Sequence, residues 1–212
     1  MTIYQPVRDE MIRLLSVPRL STYRVASGGD LKAAVELYQW NLEISASLFA
    51  AIHYLEVALP NTVDAALTAR HGGAGAWFDV VGVPLSAGAR DQVRRAKASA
   101  SRPGHVVTQG HVVAELSFGF WGSFFAEAYS RTLWRQCLRQ AFPRARRGRL
   151  HSDLEAIRRV RNRIAHHEPL IGYDLAEEYR RVLRTAEQID MRLAWWIDAT
   201  SAVGQVLDRR PA

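Results

Sequence analysis

Apolar residues in this chain recur at helical spacing almost throughout, and the strict alternation of a half-buried strand is missing. The pattern predicts an all-α fold, a helical bundle with additional short helices and no significant sheet. Residues 1–30 read as short pieces: a helical turn or two near Arg8–Leu15, a break at Pro18 and another at Ser27-Gly28-Gly29. They are expected to pack as an N-terminal segment on a helical domain of residues 31–212. Asp30 is placed to cap a long helix over about 31–59, where Leu31, Val35, Tyr38, Leu42, Ser45, Phe49, Ile52 and Leu59 step by threes, fours and one seven. Pro60 is expected to end or kink it, with Asn61 capping a continuation to about Ala69. His71 to Gly75 reads as a loop. Ser86 opens a short helix to about Ala100, Pro103-Gly104 breaks it, and Thr108 caps another to Leu116.

SFGFWGSFF (117–125) has two readings, a stacking platform for bases or a core-packed helix start, and the second is preferred. Helix then runs to about Ala141, before Pro143. An arginine-rich loop, 144–149, leads into a helix at about 150–167 that Pro169 stops. Asp174 caps a last long helix carrying Tyr179, Val182, Leu183, Ile189, Leu193, Trp196 and Ile197. No internal repeat is visible.

Composition narrows the class. With 212 residues, 48% of them hydrophobic, and a mean hydropathy of −0.14, the chain can bury a core without staples. A single cysteine, Cys137, excludes a disulfide framework and a multi-cysteine zinc site, and reads as a buried inert thiol. Apolar runs of about 18 residues are lacking, and the first fifteen residues mix acids and arginines where a signal peptide is apolar. A cytoplasmic protein is expected, with no membrane partner.

The net charge is +7, and all basic residues but Lys32 and Lys97 are arginine. Residues 131–163 hold eleven arginines against Asp153 and Glu155, so that segment carries +9 and the remainder is slightly acidic. Such clustering is the footprint of a polyanion-binding surface, RNA or DNA being the usual partner; the plainer reading is a solvated helix face.

The segment richest in candidate chemistry is LHSDLEAIRRVRNRIAHHEPL, 150–170. Leu150, Leu154, Ile157, Val160 and Ile164 share one stripe about 120° wide, and Arg161 falls within it. A guanidinium on the apolar side of a helix needs a buried acid, a cleft or another chain. Asn162 is its polar neighbour. His166 and His167 follow at the helix end, where the dipole favours their charged form and the nearby arginines oppose it. An imidazole titrating near neutrality suits general acid–base work. The plainer reading is an arginine paired with a core acid beside two surface histidines. On an ideal helix Arg161 lies about 140° from His166 and about 120° from His167 in the other sense. A composite site across a two-fold axis, or a loosened last turn, would bring them together. His53 and Glu56 lie one helical turn apart but lack matching partners for a metal site, and Glu56 is the expected counter-ion of Arg161. His71, His105 and His111 show no recognisable spacing; His151 flanks the arginine loop.

RNRIAHHEP resembles the Arg-x(4–6)-His signature of HEPN proteins, with a polar residue directly after the arginine. The chain more narrowly resembles the Abi-like abortive-infection family (AbiD/AbiF type), through LSVPRLSTY (15–23), LYQWNLEISASLFAAIHYLEVAL (37–59), HVVAELSFGFWGSFF (111–125), LWRQCLRQAFP (133–143) and LEAIRRVRNRIAHHEP (154–169). It departs at Pro60, where relatives are expected to carry arginine before Asn61. The resemblance implies a HEPN bundle that dimerises with its signature helices facing each other. It also implies a metal-independent endoribonuclease without cofactor, or a non-catalytic RNA-binding, sensing or interaction relative, in phage defence or toxin–antitoxin systems with an RNA or protein antitoxin. It places the site at Arg161, Asn162 and His166, with His167 secondary and Glu56 as the acid of the long helix. In that chemistry His166 takes the ribose 2′-OH proton, Arg161 stabilises charge on the phosphoryl oxygens and Asn162 orients the histidine or holds a phosphate oxygen; the product is a 2′,3′-cyclic phosphate. Arg131, Arg135 and Arg139, stepping by four, and Arg144, Arg146, Arg147 and Arg149 of the loop then guide the RNA backbone. Arg158, Arg159 and Arg163 supply further contacts.

Overall fold

The computed structural model describes residues 5–211 apart from Ala74, Arg102 and His105. His105 therefore lies outside the described residues. Every regular element among them is helical. Helices α1 (Gln5–Leu15) and α2 (Val17–Ala26) open the chain, and α2 buries Leu20 and Tyr23 on α3 (Leu31–His71). The Tyr23 and Tyr38 rings meet edge to face at 5.2 Å.

Asp30 caps α3 as its side chain predicts, accepting from the N–H groups of Lys32 and Ala33. Pro60 does not end the helix, which continues as one element of 41 residues. Proline removes a single N–H there, whereas Leu55, Leu59, Val63 and Leu67 are fully buried on both sides of it and keep the backbone in register. The buried face of α3 also differs from the expected stripe. Ile44, Leu48 and Leu55 are wholly inside, whereas Leu31 and Leu42 are exposed. The helix is apolar on more than one side, so spacing alone leaves its rotation open. By length and composition α3 could also cross a bilayer, but here it is the core helix, packed by α2 and by the later helices.

α4 (Ala87–Ala100) and α5 (Gln109–Glu115) start at their Ser86 and Thr108 caps. Ser117 caps α6 (Phe118–Ser123), and the aromatic segment is core: Phe120, Trp121, Phe124 and Phe125 are buried, with Trp77 edge-on to Trp121 and Phe124. These faces are closed to bases. Gly119 lets α6 approach the next long helix, since a Cβ there would stand 3.1 Å from the Arg158 Cδ. Ser130–Leu138 is a π-helix with an α-helical last turn, α7 (Arg139–Ala141).

Helix α8 (Arg147–Ala165) starts three residues before the expected point, and buries Leu150, Leu154, Ile157 and Val160 against α3, α6 and α9 (Leu175–Ile189). The last helix was expected to be unbroken. It is instead two, because Asp190 turns extended and caps α10 (Met191–Thr200), accepting from Arg192 N–H at 2.7 Å. A short α11 (Val203–Leu207) follows, tied to α3 by Trp40 Nε1–H donating to the Val206 carbonyl at 2.7 Å.

Candidate functional site

Arg161 points across the α3–α8 contact, and its Nε–H donates to Glu56 Oε1 at 2.7 Å. Its guanidinium carbon lies 5.9 Å from the Phe49 ring centre. The pairing of Glu56 with Arg161 expected from residue type is therefore present. The pair is not sealed: side-chain exposure is 35% for Arg161 and 19% for Glu56. One edge of the guanidinium is held, and among the described residues no hydrogen bond engages Nη1 or Nη2. A guanidinium oriented by its Nε, partly exposed and with no hydrogen bond at its terminal amino groups among the described residues, suits bidentate binding of a phosphoryl group.

Asn162 is half-buried beside it, and His166 and His167 are exposed. Neither imidazole shares a hydrogen bond or ion pair with Arg161 among the described residues. The last turn of α8 is not loosened. His167 adopts φ 55°, the left-handed conformation, and its N–H donates to the Ile164 carbonyl at 3.0 Å, while Glu168 N–H reaches back to the Arg163 carbonyl at 2.8 Å. Those two bonds form a Schellman closure with histidine where glycine is usual. Three tethers hold the turn. Arg163 binds the Pro169 carbonyl at 2.9 Å and Glu168 at 2.8 Å; Arg19 of α2 donates to the His167 carbonyl at 2.7 Å; and buried Asn41 accepts from Leu170 N–H at 2.8 Å. Of the two routes open to the sequence, fraying within one chain is therefore absent.

The left-handed backbone at position 167 makes a test of that histidine simple. Gly adopts it without the Cβ cost of roughly 1–2 kcal/mol, so His167→Gly is expected to hold or raise the melting temperature. A clear fall in thermal unfolding would show that the imidazole itself braces the turn.

The arginines divide into two groups. Arg131, Arg135, Arg139, Arg144, Arg146 and Arg159 are exposed and, among the described residues, without an ion pair. Arg149 only approaches Asp153, at 3.9 Å. Others expected to meet RNA are committed to the protein: Arg147, 16% exposed, binds Glu127 and the Phe125 carbonyl, and Arg163 holds the turn and lies over Tyr173. Arg158 bonds Glu155 at 2.8 Å, and that contact holds the Glu155 carboxyl below its usual range.

A charged layer missed at the sequence level joins α8 to α9. Asp153, 6% exposed, receives Arg181 at 3.0 Å and Arg184 at 3.5 Å, and Arg184 also binds Glu177 at 2.9 Å. Burial pushes the neighbouring Glu178 carboxyl up. The signal was available, because Asp153 lies three residues after Leu150 and four before Ile157, within the buried stripe of α8.

Among the described residues no group of three or more His, Cys, Asp or Glu side chains has the geometry to hold a metal. Comparison of the chain with family models, with curated proteins and with solved structures finds no match.

Proposed function

We propose that this protein is a metal-independent endoribonuclease of the Abi-like HEPN type, working as a homodimer in phage defence or a toxin–antitoxin pair in the cytoplasm. The observation that carries the reading is Arg161, tethered through Nε by Glu56 with both terminal amino groups free. Arg161 receives the non-bridging oxygens of the scissile phosphate. His166 removes the 2′-OH proton, the 2′ oxygen bonds to phosphorus, and the bond from phosphorus to the 5′ oxygen breaks. An imidazole of the second protomer, or His167, returns a proton to the leaving oxygen.

Support for the homodimer comes from the exposed imidazoles and from the side of α3 next to Glu56. Leu42, Ala46, Phe49, Ala50, His53 and Val57 fall within about 100° of one another on that helix, and Val57 is 50% exposed. Packing two such faces together pools two copies of Arg161 and the histidines in one cleft. Val57→Glu is expected to give a monomer by sedimentation and to lose cleavage with it. A monomeric wild-type protein that cleaves RNA would end the composite-site proposal.

A second reading, an RNA-binding module without cleavage, is favoured by the lack of any bond between Arg161 and either imidazole within the chain. Incubating purified protein with total RNA in EDTA separates the two, since cleavage supports the first and binding alone supports the second. In either case Arg131, Arg135 and Arg139 form the RNA track. Replacing all three with glutamine is expected to flatten the log–log dependence of RNA affinity on salt by roughly 2, at about 0.7 per phosphate contact on a single strand. An unchanged slope would leave them as mere surface charge.

A further inference from the structure

The start of α8 carries a feature that the proposed cleavage centre does not use. A recess of about 230 Å³ opens there, lined by Arg144 and Arg146 of the preceding loop, Arg149 and Asp153 of α8, and Arg184 and Glu187 of α9. We propose that this recess is a binding site for a phosphate monoester.

Four guanidinium groups from three segments converge on one small volume, against two carboxylates. One of those, Asp153, is engaged by Arg181 at 3.0 Å and by Arg184 at 3.5 Å, and Arg184 also binds Glu177 at 2.9 Å, which leaves Arg144, Arg146 and Arg149 as the groups most available to a ligand. Arg144 and Arg146 have no ion pair among the described residues, and the buried Nε of Arg184 has no hydrogen-bond partner. The backbone adds to the field. Arg146 occupies the cap position of α8 without a side-chain cap, and the first turn holds no acid, so the N–H groups of Arg147, Gly148 and Arg149 lack intrahelical partners. A doubly charged group with three terminal oxygens matches several converging forks better than a singly charged phosphodiester does. The volume admits a phosphate and a few waters, at about 30 Å³ each, and lies below the 300–1,000 Å³ usual for a whole drug-sized ligand.

The recess is separate from the proposed cleavage centre. Twelve positions divide Arg149 from Arg161, about 18 Å along the helix. A phosphate held here is not the scissile one in the same protomer. Two sources share this chemistry, the phosphorylated 5′ end of an RNA strand and a small phosphorylated metabolite, and both leave the rest of the molecule outside the recess.

The test is calorimetric titration of the full chain with inorganic phosphate at constant ionic strength, then with AMP, and with a short RNA bearing a 5′-phosphate or a 5′-hydroxyl. Wild type is expected to bind phosphate in preference to chloride. Arg146→Gln/Arg149→Gln is expected to weaken that binding by about tenfold or more, as loss of charge-assisted bonds implies. Arg24→Gln/Arg90→Gln, which loses the same charge elsewhere on the surface, is expected to keep it. A 5′-phosphate preferred over a 5′-hydroxyl by a similar factor, with AMP weaker than the RNA, assigns the site to strand ends; AMP binding as well as the RNA assigns it to small molecules. Phosphate affinity equal in wild type and the Arg146/Arg149 variant, with both folded by circular dichroism, overturns the proposal. Cleavage is not the readout, so this result and the fate of the ribonuclease reading are independent.

Discussion

Arg161→Ala is expected to remove EDTA-resistant RNA cleavage, by at least about 10²–10³-fold, the usual cost of losing one preorganised donor to a developing oxyanion. The size of that loss follows from how the side chain is held. Glu56 takes the Nε edge and leaves the terminal amino groups for substrate, so the arginine is oriented before RNA arrives. Arg161→Lys keeps the charge but loses the fork, and is expected to bind RNA while cleaving poorly. Glu56→Gln keeps a hydrogen-bond acceptor and removes the counter-charge; cleavage should fall less than in Arg161→Ala. Folding is the control. Removing Arg161 strands a partly buried carboxylate, at about 1–3 kcal/mol, and melting curves show whether the variant is still native at the assay temperature. Undiminished cleavage in a folded Arg161→Ala protein defeats the nuclease reading.

Asp153→Ala carries the largest expected effect on stability. The carboxylate is nearly sealed and neutralises Arg181 and Arg184, which between them join α9 to α8. Removing one partner of a buried ionic network costs about 3–5 kcal/mol. Arg181 and Arg184 keep some solvent and Glu177 remains beside them, so about 3 kcal/mol is expected here, or roughly 6–12 °C in melting temperature for a chain of this size. Asp153→Leu/Arg181→Leu should recover part of the loss, because the penalty comes from the uncompensated charge. A single-variant cost under about 1 kcal/mol would mean that apolar contacts alone hold α8 to α9.

Much of the architecture was legible from local chemistry. The Asp30, Ser86, Thr108 and Asp174 caps sit where their side chains accept backbone N–H groups, and the α8 stripe of Leu150, Leu154, Ile157 and Val160 is buried as its spacing implies. The misses share a cause. Pro60 and the last helix were both read from local pattern, and tertiary packing overrode the first while the Asp190 cap divided the second. The rotation of α3 was unreadable because its apolar residues cover more than one side. At the site, the Glu56–Arg161 pair could be anticipated because a guanidinium on an apolar stripe demands an acid. The uses of Arg147 and Arg163 were legible only in part: each has an acidic partner, Glu127 and Glu168, but each also binds a carbonyl, of Phe125 and Pro169, and backbone oxygens leave no mark on residue identity.

The contact between Arg19 and the His167 carbonyl couples the first two helices to the turn that carries both imidazoles. Lifting that amino-terminal pair from the bundle would remove one of the three tethers on the histidine-bearing corner, 148 residues away in the chain, and leave it held by Arg163 and Asn41.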